Sequence, residues 1–136
     1  MNSDLVVGIH AMVFLHHKKG TISSESLADN ICTNPARVRR VMAKLKKAGI
    51  IETREGRTDG GYYCKENRVT LGDIGKALEV NFSDFSWHSG DSEKSCLISS
   101  GMAGYMDNLR NEINKKCMDY LESIMIEDVE KKLINK

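Results

Sequence analysis

The sequence concentrates basic side chains in one short segment. Residues 31–51 carry six of them and no acidic side chain. Apolar residues recur there at spacing i, i+3, i+4, i+7, as Val38, Val41, Met42 and Leu45, which is typical of a helix with one buried stripe. The arginines and lysines are left on the remaining surface. A cationic helix surface of this kind favours binding to a polyanion such as a nucleic acid.

Position along this helix separates candidate base contacts from candidate phosphate contacts. Helices that read DNA usually contact base edges with their N-terminal turns. Asn34, Arg37 and Arg40 are therefore predicted to contact bases, with Arg39 beside them, and an arginine paired bidentately with guanine contributes about 1–3 kcal/mol. The remaining basic residues are predicted phosphate contacts, with simple solvation as the alternative interpretation: Lys44, Lys46 and Lys47.

Two helices are predicted to precede the basic helix. The first covers residues 3–18 and the second 24–31, and serines just before the second can cap it. Asn34 followed by Pro35 starts the basic helix, because Asn accepts from open backbone N–H groups and Pro lacks one at the first turn. Gly49 is predicted to end it.

A two-stranded hairpin is predicted directly after the basic helix. Residues 50–54 and 62–64 favour strands and flank a glycine-rich turn. Arg54 and Arg57 frame this turn, whose glycines either let it approach a DNA backbone closely or only supply its positive φ angles. The remaining candidates for DNA contacts carry hydroxyl groups near helix starts or in the turn: Ser24, Thr33 and Thr58.

The chain changes character after residue 80. A polar, serine-rich segment over 81–95 leads to a long helix predicted from about residue 102. The apolar stripe of that helix spans about 33 Å, which is too long for the small preceding domain to cover. A second copy of the chain is the simplest partner to cover this stripe, because two-fold symmetry is the default for homo-oligomers. The predicted homodimer interface is this stripe: Met102, Met106, Leu109, Ile113, Cys117, Tyr120 and Ile124.

The order of helix, helix, basic helix and hairpin predicts a winged helix–turn–helix. The expected fold class is mainly α with a small two-stranded β wing (α+β), extended by a long C-terminal dimerisation helix. Three parts are predicted along the chain. They are a winged helix–turn–helix DNA-binding domain over 1–80, a connecting or sensor loop over 81–101, and the dimerisation helix with a short last helix over 102–136.

Composition and missing motifs limit the class of protein. The chain has 136 residues, 40% hydrophobic and 29% charged, which suits one folded domain. The absence of a secretory signal and of an apolar run of about 20 residues predicts a cytoplasmic protein that does not contact membranes, with thiols rather than disulfides. No P-loop, nucleophile elbow, paired-carboxylate site or metal-ligand spacing is found, so an enzyme is not expected.

Five short motifs follow one another over residues 26–74. They are Ser26-Leu27-Ala28, Asn34-Pro35-x-x-Val38-Arg39-Arg40, Leu45-x-x-Ala48-Gly49-Ile50-Ile51, Gly60-Gly61-Tyr62 and Val69-Thr70-Leu71-x-x-Ile74. In series they resemble the Rrf-two family of bacterial winged-helix transcriptional regulators, well over residues 1–80 and more loosely over the long helix. The resemblance implies a homodimeric, sequence-specific regulator, leaning towards a repressor, on a near-palindromic operator in double-stranded DNA.

Many members of that family hold an iron–sulfur cluster on three cysteines in the loop before the dimerisation helix. In this sequence Cys96 is the only cysteine between residues 81 and 104. Even with His88 as a second ligand, the set falls short of the about four protein ligands that a cluster needs. The sequence therefore predicts a member without the three-cysteine motif, with no cofactor and no metal site.

The input signal and the function class each have an alternative interpretation. Cys96 could be a redox-responsive thiol, or the segment with Trp87 and His88 could frame a small-molecule pocket, or the same segment could be a packed hinge without a ligand. The alternative function is a winged-helix protein-interaction module without DNA binding. Such modules tend to lose the cationic surface, which is intact here.

Overall fold

The computed structural model describes residues 2–56, 60–64 and 68–135. The described residues form six helices and one two-stranded antiparallel sheet, which confirms the predicted mainly α fold with a small β wing. In chain order the elements are α1 (Asn2–Lys18), α2 (Ser24–Ile31), α3 (Pro35–Lys47), β1 (Ile51–Arg54), β2 (Gly61–Cys64), α4 (Leu71–Ala77), α5 (Leu97–Glu122) and α6 (Ile126–Ile134). No helix among them is both long and apolar enough to cross a membrane.

The basic helix α3 is anchored through its predicted apolar stripe. Val38, Val41, Met42 and Leu45 are all fully buried. They pack in one cluster with residues of α1, α2, β1 and α4, whose largest fully buried members are Met12, Leu15, Leu27, Ile51 and Ile74. Each large apolar side chain buried in this way stabilises the fold by about 1.5–3 kcal/mol. The stripe therefore fixes which face of α3 is left to solvent.

The helix ends are set by the predicted caps. Ser23 Oγ accepts from the backbone N–H of Ser26 at 3.1 Å to start α2. Asn34 Oδ1 accepts from the backbone N–H of Arg37 at 2.8 Å to start α3, and Gly49 follows its end with a φ of 80°. Short side-chain acceptors and a left-handed glycine satisfy backbone groups that a helix end otherwise leaves open.

The wing is tied to the rest of the domain through a short third segment. β1 and β2 pair from Ile51 opposite Cys64 to Arg54 opposite Gly61. Ile22 then adds an antiparallel bridge to Tyr62, with reciprocal backbone hydrogen bonds of 2.9 and 2.8 Å. The loop before α2 thereby fixes the outer edge of β2, so the wing is attached on both of its strands.

The long helix begins earlier than predicted. α5 starts at Leu97, whereas the sequence interpretation placed its start near residue 102. The predicted stripe begins at Met102, although Ile98 continues it at the same interval of four residues. Leu97 is 86% exposed, and the turn is held instead by backbone bonds such as Ser100 N to Cys96 O, at 3.0 Å.

The end of the long helix also differs from the prediction. Ile124 was expected on the dimer stripe, but α5 ends at Glu122 and Ile124 lies in the turn before α6. Leu71 N donates to Ile124 O at 2.9 Å, and Ile126 N donates to Val69 O at 3.0 Å. These bonds draw the turn against the segment before α4, so Ile124 packs on the core of the winged helix.

The last helix returns to the first. α6 packs along α1, and Ile126 is buried in the same core as the stripe of α3. His16 Nδ1 lies 2.9 Å from Glu130 Oε1, so an imidazole–carboxylate pair joins the two helices. The prediction grouped the last helix with the long helix over 102–136. In the structure its packing partner is α1.

The segment after α4 runs along α5 and is held there by polar contacts. Asn114 Oδ1 accepts from Phe82 N at 2.9 Å and from Ser83 Oγ at 3.2 Å. Arg110 Nη1 donates to Phe85 O at 3.4 Å. Farther along, His88 Nε2 lies 2.9 Å from Asp107 Oδ1. α5 is therefore packed by α4 near its C-terminal end and by this segment along its middle.

Candidate nucleic-acid interface

The solvent face of α3 carries the predicted cationic surface. Arg39, Arg40, Lys44, Lys46 and Lys47 are all exposed. Lys46 Nζ donates to Thr53 Oγ1 at 2.9 Å, which links the end of α3 to the wing. Within the described residues the side chains of Lys44 and Lys47 make no hydrogen bond or ion pair, so their ammonium groups are available to phosphates.

Two of the predicted base-reading arginines share one carboxylate. Arg37 Nε and Nη2 each lie 3.2 Å from Asp4 Oδ1, and Arg40 Nη2 lies 3.1 Å from the same oxygen. Arg37 Nη2 also donates to Ser3 Oγ at 2.6 Å. The Arg37 side chain is 28% exposed and that of Arg40 is 57% exposed. The Arg37 side chain is therefore directed towards the first turn of α1, whereas the Arg40 side chain extends past that turn into solvent.

The charges in this cluster affect the pKa of the Asp4 carboxyl group. Partial burial alone would raise the pKa of its carboxyl group, since burial penalises the charged form. The hydrogen bonds from Arg37 and Arg40, together with their charges, outweigh burial and hold the pKa of Asp4 below its usual value. Asp4 is therefore a carboxylate at neutral pH, and one negative charge stands against the two guanidinium groups.

Asp4 and Ser3 are the site residues that sequence reasoning missed. Both lie in the first turn of α1, more than 30 positions from α3 in the sequence. Nothing in the local pattern of either helix indicates that they meet. The contact depends on how α1 crosses α3, which becomes known only when the buried faces of both helices are packed together.

Arg39 has different partners from its neighbours. Arg39 Nη1 donates to Ser24 Oγ at 3.3 Å and lies 3.6 Å from Glu25 Oε1. Both partners lie in the first turn of α2, so the predicted candidates Ser24 and Arg39 meet at one side of α3. The side chains of Arg39 and Glu25 are more than half exposed, and such a pair is worth little in water.

The two candidates at the turn between α2 and α3 serve local structure. The Oδ1 acceptor of Asn34 is occupied by the helix cap, so its amide group is the part left to contact a base. The backbone N–H of Thr33 donates to Ala28 O at 3.0 Å and closes α2. Their DNA contacts stay predictions.

The wing supplies a further cation. Arg54 is exposed, and its guanidinium carbon lies 5.3 Å from the centre of the Tyr63 ring, within range of a cation–π interaction. Arg57 and Thr58, the other predicted wing contacts, lie outside the described residues. The wing candidate that the structure places is thus Arg54, at the end of β1.

The sensor candidates lie in the segment that leads into α5. Trp87 is 82% exposed. His88 pairs with Asp107, whose carboxyl pKa is lowered by that hydrogen bond. Cys96 precedes the first turn of α5, where the backbone N–H groups of Ser99 and Ile98 lower the pKa of its exposed thiol. Whether any of these residues senses a signal stays a prediction.

The predicted dimer stripe lies on a helix that the described chain leaves largely uncovered. None of the 26 residues of α5 is buried. Leu109 and Tyr120 are exposed, Tyr120 by 68%, and the stripe residues Met102, Met106, Ile113 and Cys117 are half-buried. Leu97, Ile98 and Tyr105 add exposed apolar surface that the prediction did not include.

Comparison with known proteins identifies relatives over nearly the whole chain. The Bacillus subtilis (strain 168) protein YwnA, which carries the name of an HTH-type transcriptional regulator, is 28% identical over 95% of this chain and 96% of its own. A Lactobacillus plantarum structure assigned as a transcriptional regulator has a TM-score of 0.80 at 20% identity, covering 98% of this chain and 91% of that one. The structure of T. potens IscR has a TM-score of 0.71 at 22% identity, covering 99% and 88%.

The family match extends over residues 1–132, and the family is Rrf2, described as an iron-dependent transcriptional regulator. Iron does not fit the residues that the structure describes. Cys32, Cys64, Cys96 and Cys117 are free, and no group of three or more His, Cys, Asp or Glu side chains within those residues could hold a metal ion. The match nevertheless confirms the resemblance noted in the sequence. This chain belongs to the Rrf2 family of DNA-binding transcriptional regulators, which are not enzymes.

Proposed function

We propose that this chain is a homodimeric, sequence-specific repressor that binds a near-palindromic operator. In this proposal α3 lies in the major groove, with Arg40 on base edges and the lysines on phosphates, while Arg54 of the wing contacts the flanking backbone. The observation that carries the proposal is the division of α3 into a fully buried apolar stripe and a solvent face of five exposed basic side chains.

The proposed roles of the arginines follow from their exposure. Arg40 engages only Nη2 with Asp4, so Nε and Nη1 have no partner among the described residues and can pair with a guanine. Arg37 uses both Nε and Nη2 for contacts with α1, which supports a role in holding Asp4, the partner of Arg40, rather than in reading a base itself. Asn34 retains its amide group for a base edge.

The proposed dimer is supported by α5. At about 1.5 Å per residue its 26 residues extend about 39 Å, and none of the apolar side chains along it is fully buried within one chain. Pairing with a second α5 would cover them and place two copies of α3 on one face. The operator would then hold two half-sites one or two helical turns apart.

The proposed regulator works without an iron–sulfur cluster. A single exposed thiol, Cys96, lies where the family places several cysteines, and its lowered pKa increases the fraction of reactive thiolate. We therefore propose thiol oxidation at Cys96 as the input. Treatment with hydrogen peroxide should release DNA from the protein, whereas Cys96→Ser should stay bound. Equal release of both proteins would exclude Cys96 as the sensor.

The test of DNA reading uses operators selected from a random duplex library and a scrambled duplex of equal composition. Arg40→Ala should lower the affinity for the selected duplex much more than for the scrambled one. Lys47→Ala should weaken both equally and flatten the dependence of log K on log salt by about 0.9, the value for one phosphate contact. Equal losses on both duplexes for Arg40→Ala would contradict base reading.

The competing function, a protein-interaction module without DNA binding, makes the opposite prediction. Such a protein should enrich no sequence from the library and should bind neither duplex. Light scattering at micromolar concentration checks the dimer independently. A mass of one chain would contradict the proposed pairing of α5.

A further inference from the structure

The strongest unassigned feature is the side-chain cluster that joins the first turn of α1 to α3. Asp4 is only 15% exposed, and one of its oxygens accepts three hydrogen bonds from Arg37 and Arg40. Arg37 is further held by Ser3 Oγ. We infer that Asp4 is a specificity-determining residue, which positions Arg40 for base reading and withdraws one positive charge from the DNA-binding surface.

The positioning effect follows from the conformational entropy that an arginine side chain loses when it binds DNA. An unconstrained arginine has many rotamers, most of which do not point at a base, and selecting one weakens binding. Asp4 and Arg37 limit these rotamers before DNA arrives, because the Arg40 guanidinium is already held at Nη2. The correct duplex gains from this restriction, whereas a duplex that offers only phosphates gains little from it.

The charge effect is separate from positioning, because it acts on all DNA alike. Arg37, Arg40 and Asp4 together carry one net positive charge instead of two. Phosphates attract every cation regardless of sequence, so each uncompensated arginine raises binding to all DNA. Asp4 therefore lowers non-specific affinity at the part of α3 that reads bases. The lysines at the other end of the helix keep their full charge.

This inference rests on the proposed DNA reading by Arg40 and extends it to a residue outside α3. The experiment uses the full-length protein and two duplex probes, one selected by the wild-type protein from a random library and one scrambled. Asp4→Asn keeps the shape of the side chain and removes its charge. The measured quantity is the discrimination ratio, the affinity for the selected duplex divided by that for the scrambled one.

Asp4→Asn should lower the discrimination ratio by about tenfold, the size expected when one arginine–guanine pair is lost. It should also raise affinity for the scrambled duplex and steepen its log K against log salt by about 0.9. Asp4→Glu keeps the charge and lengthens the side chain, so the ratio should fall while the salt slope stays the same. Thermal unfolding shows whether each variant is folded.

A matched control separates positioning from a general change of charge. Glu25→Gln also removes one acidic charge at the DNA-facing surface, but Glu25 contacts Arg39 and neither of the two arginines held by Asp4. It should strengthen binding to both duplexes alike and leave the ratio unchanged. In an Arg40→Ala background, Asp4→Asn should no longer alter the ratio, because the residue that it positions is gone.

The outcomes distinguish this inference from the proposed function. If the wild-type protein enriches no sequence, the proposed reading fails and the role of Asp4 fails with it. If the wild-type protein discriminates and Asp4→Asn discriminates equally well, the role of Asp4 is overturned while the DNA-binding proposal stands. An equal rise in affinity for both duplexes, as expected for Glu25→Gln, would also overturn it.

Discussion

The backbone of Gly61 lies directly against that of Ile22. A Cβ atom added at Gly61 would stand 2.5 Å from the Ile22 carbonyl carbon and 2.8 Å from Ser23 N, and the φ angle there is 145°. A side chain at this position is excluded both by the neighbouring backbone and by the backbone conformation. Gly61 is therefore required by the bridge between Ile22 and Tyr62.

Gly61→Ala should displace the wing from the loop before α2. We expect a loss of about 1–3 kcal/mol in the free energy of unfolding, since the alanine must strain its own backbone or push the loop away. Urea unfolding measures the loss. Gly20→Ala is the matched control in the same region, because its Cβ would meet nothing closer than 3.8 Å. Equal stability of the two variants would contradict the close approach.

A second glycine governs the contact between α4 and α5. At Gly72 an added Cβ would stand 2.9 Å from the Cα of Glu122, so Gly72→Ala should force the two helices apart. The expected cost is about 1–3 kcal/mol. Gly101→Ala on α5 provides the control, since nothing lies within 4 Å and alanine favours a helix by about 0.5–1 kcal/mol. Destabilisation by Gly101→Ala, or none by Gly72→Ala, would contradict this packing.

The two functions of Asn34 can be separated by substitution. Asn34→Ala removes the cap of α3 and should cost about 0.5–2 kcal/mol of stability. Asn34→Ser keeps a capping acceptor but loses the amide group, so it should be nearly as stable as the wild-type protein and still lose discrimination between duplexes. Thermal unfolding and duplex titration are measured on both variants. Full discrimination by Asn34→Ser would assign Asn34 to capping alone.

The pair between α1 and α6 predicts a dependence of stability on pH. The hydrogen bond from His16, opposed by partial desolvation and assisted by nearby positive charge, lowers the pKa of Glu130. A carboxyl group with a lowered pKa in the folded state binds fewer protons than in the unfolded state, so its contribution increases with pH. It is fully present above the ordinary glutamate pKa of about 4.3 and is lost as pH falls through the lowered value.

Glu130→Gln should therefore be less stable than the wild-type protein at neutral pH, with the difference shrinking below about pH 4. Urea unfolding across this range is the measurement. Glu127→Gln, on the same helix but exposed and without an ion pair to the described residues, should show no such convergence. A constant difference for Glu130→Gln at all pH values would contradict the role of this pair.

Local patterns predicted the elements of the winged helix well. The stripe of α3 specified a period and a buried face, and Asn34 with Pro35 specified the first turn. The two strands also follow from local residue types. These features depend on interactions between residues close in sequence, which is why they can be read from sequence alone.

Contacts between distant segments were not predictable in this way. The pairing of Asp4 with Arg37 depends on the crossing of α1 and α3, and the position of Ile124 depends on backbone bonds to residues before α4. The early start of α5 at Leu97 was missed because the predicted stripe begins only at Met102, one turn after Ile98. The roles of the DNA-contact and sensor residues are proposals, which the binding and oxidation experiments test.

The return of α6 to α1 has a consequence for the order of folding. Ile126 closes a core whose other residues lie between Val7 and Leu78, so a growing chain that has emerged only through α4 still lacks a part of that core. Contacts between segments more than 100 positions apart form slowly, because a long loop must close first. The DNA-reading surface should therefore become rigid only after α6 has been synthesised, well after α3 itself has left the ribosome.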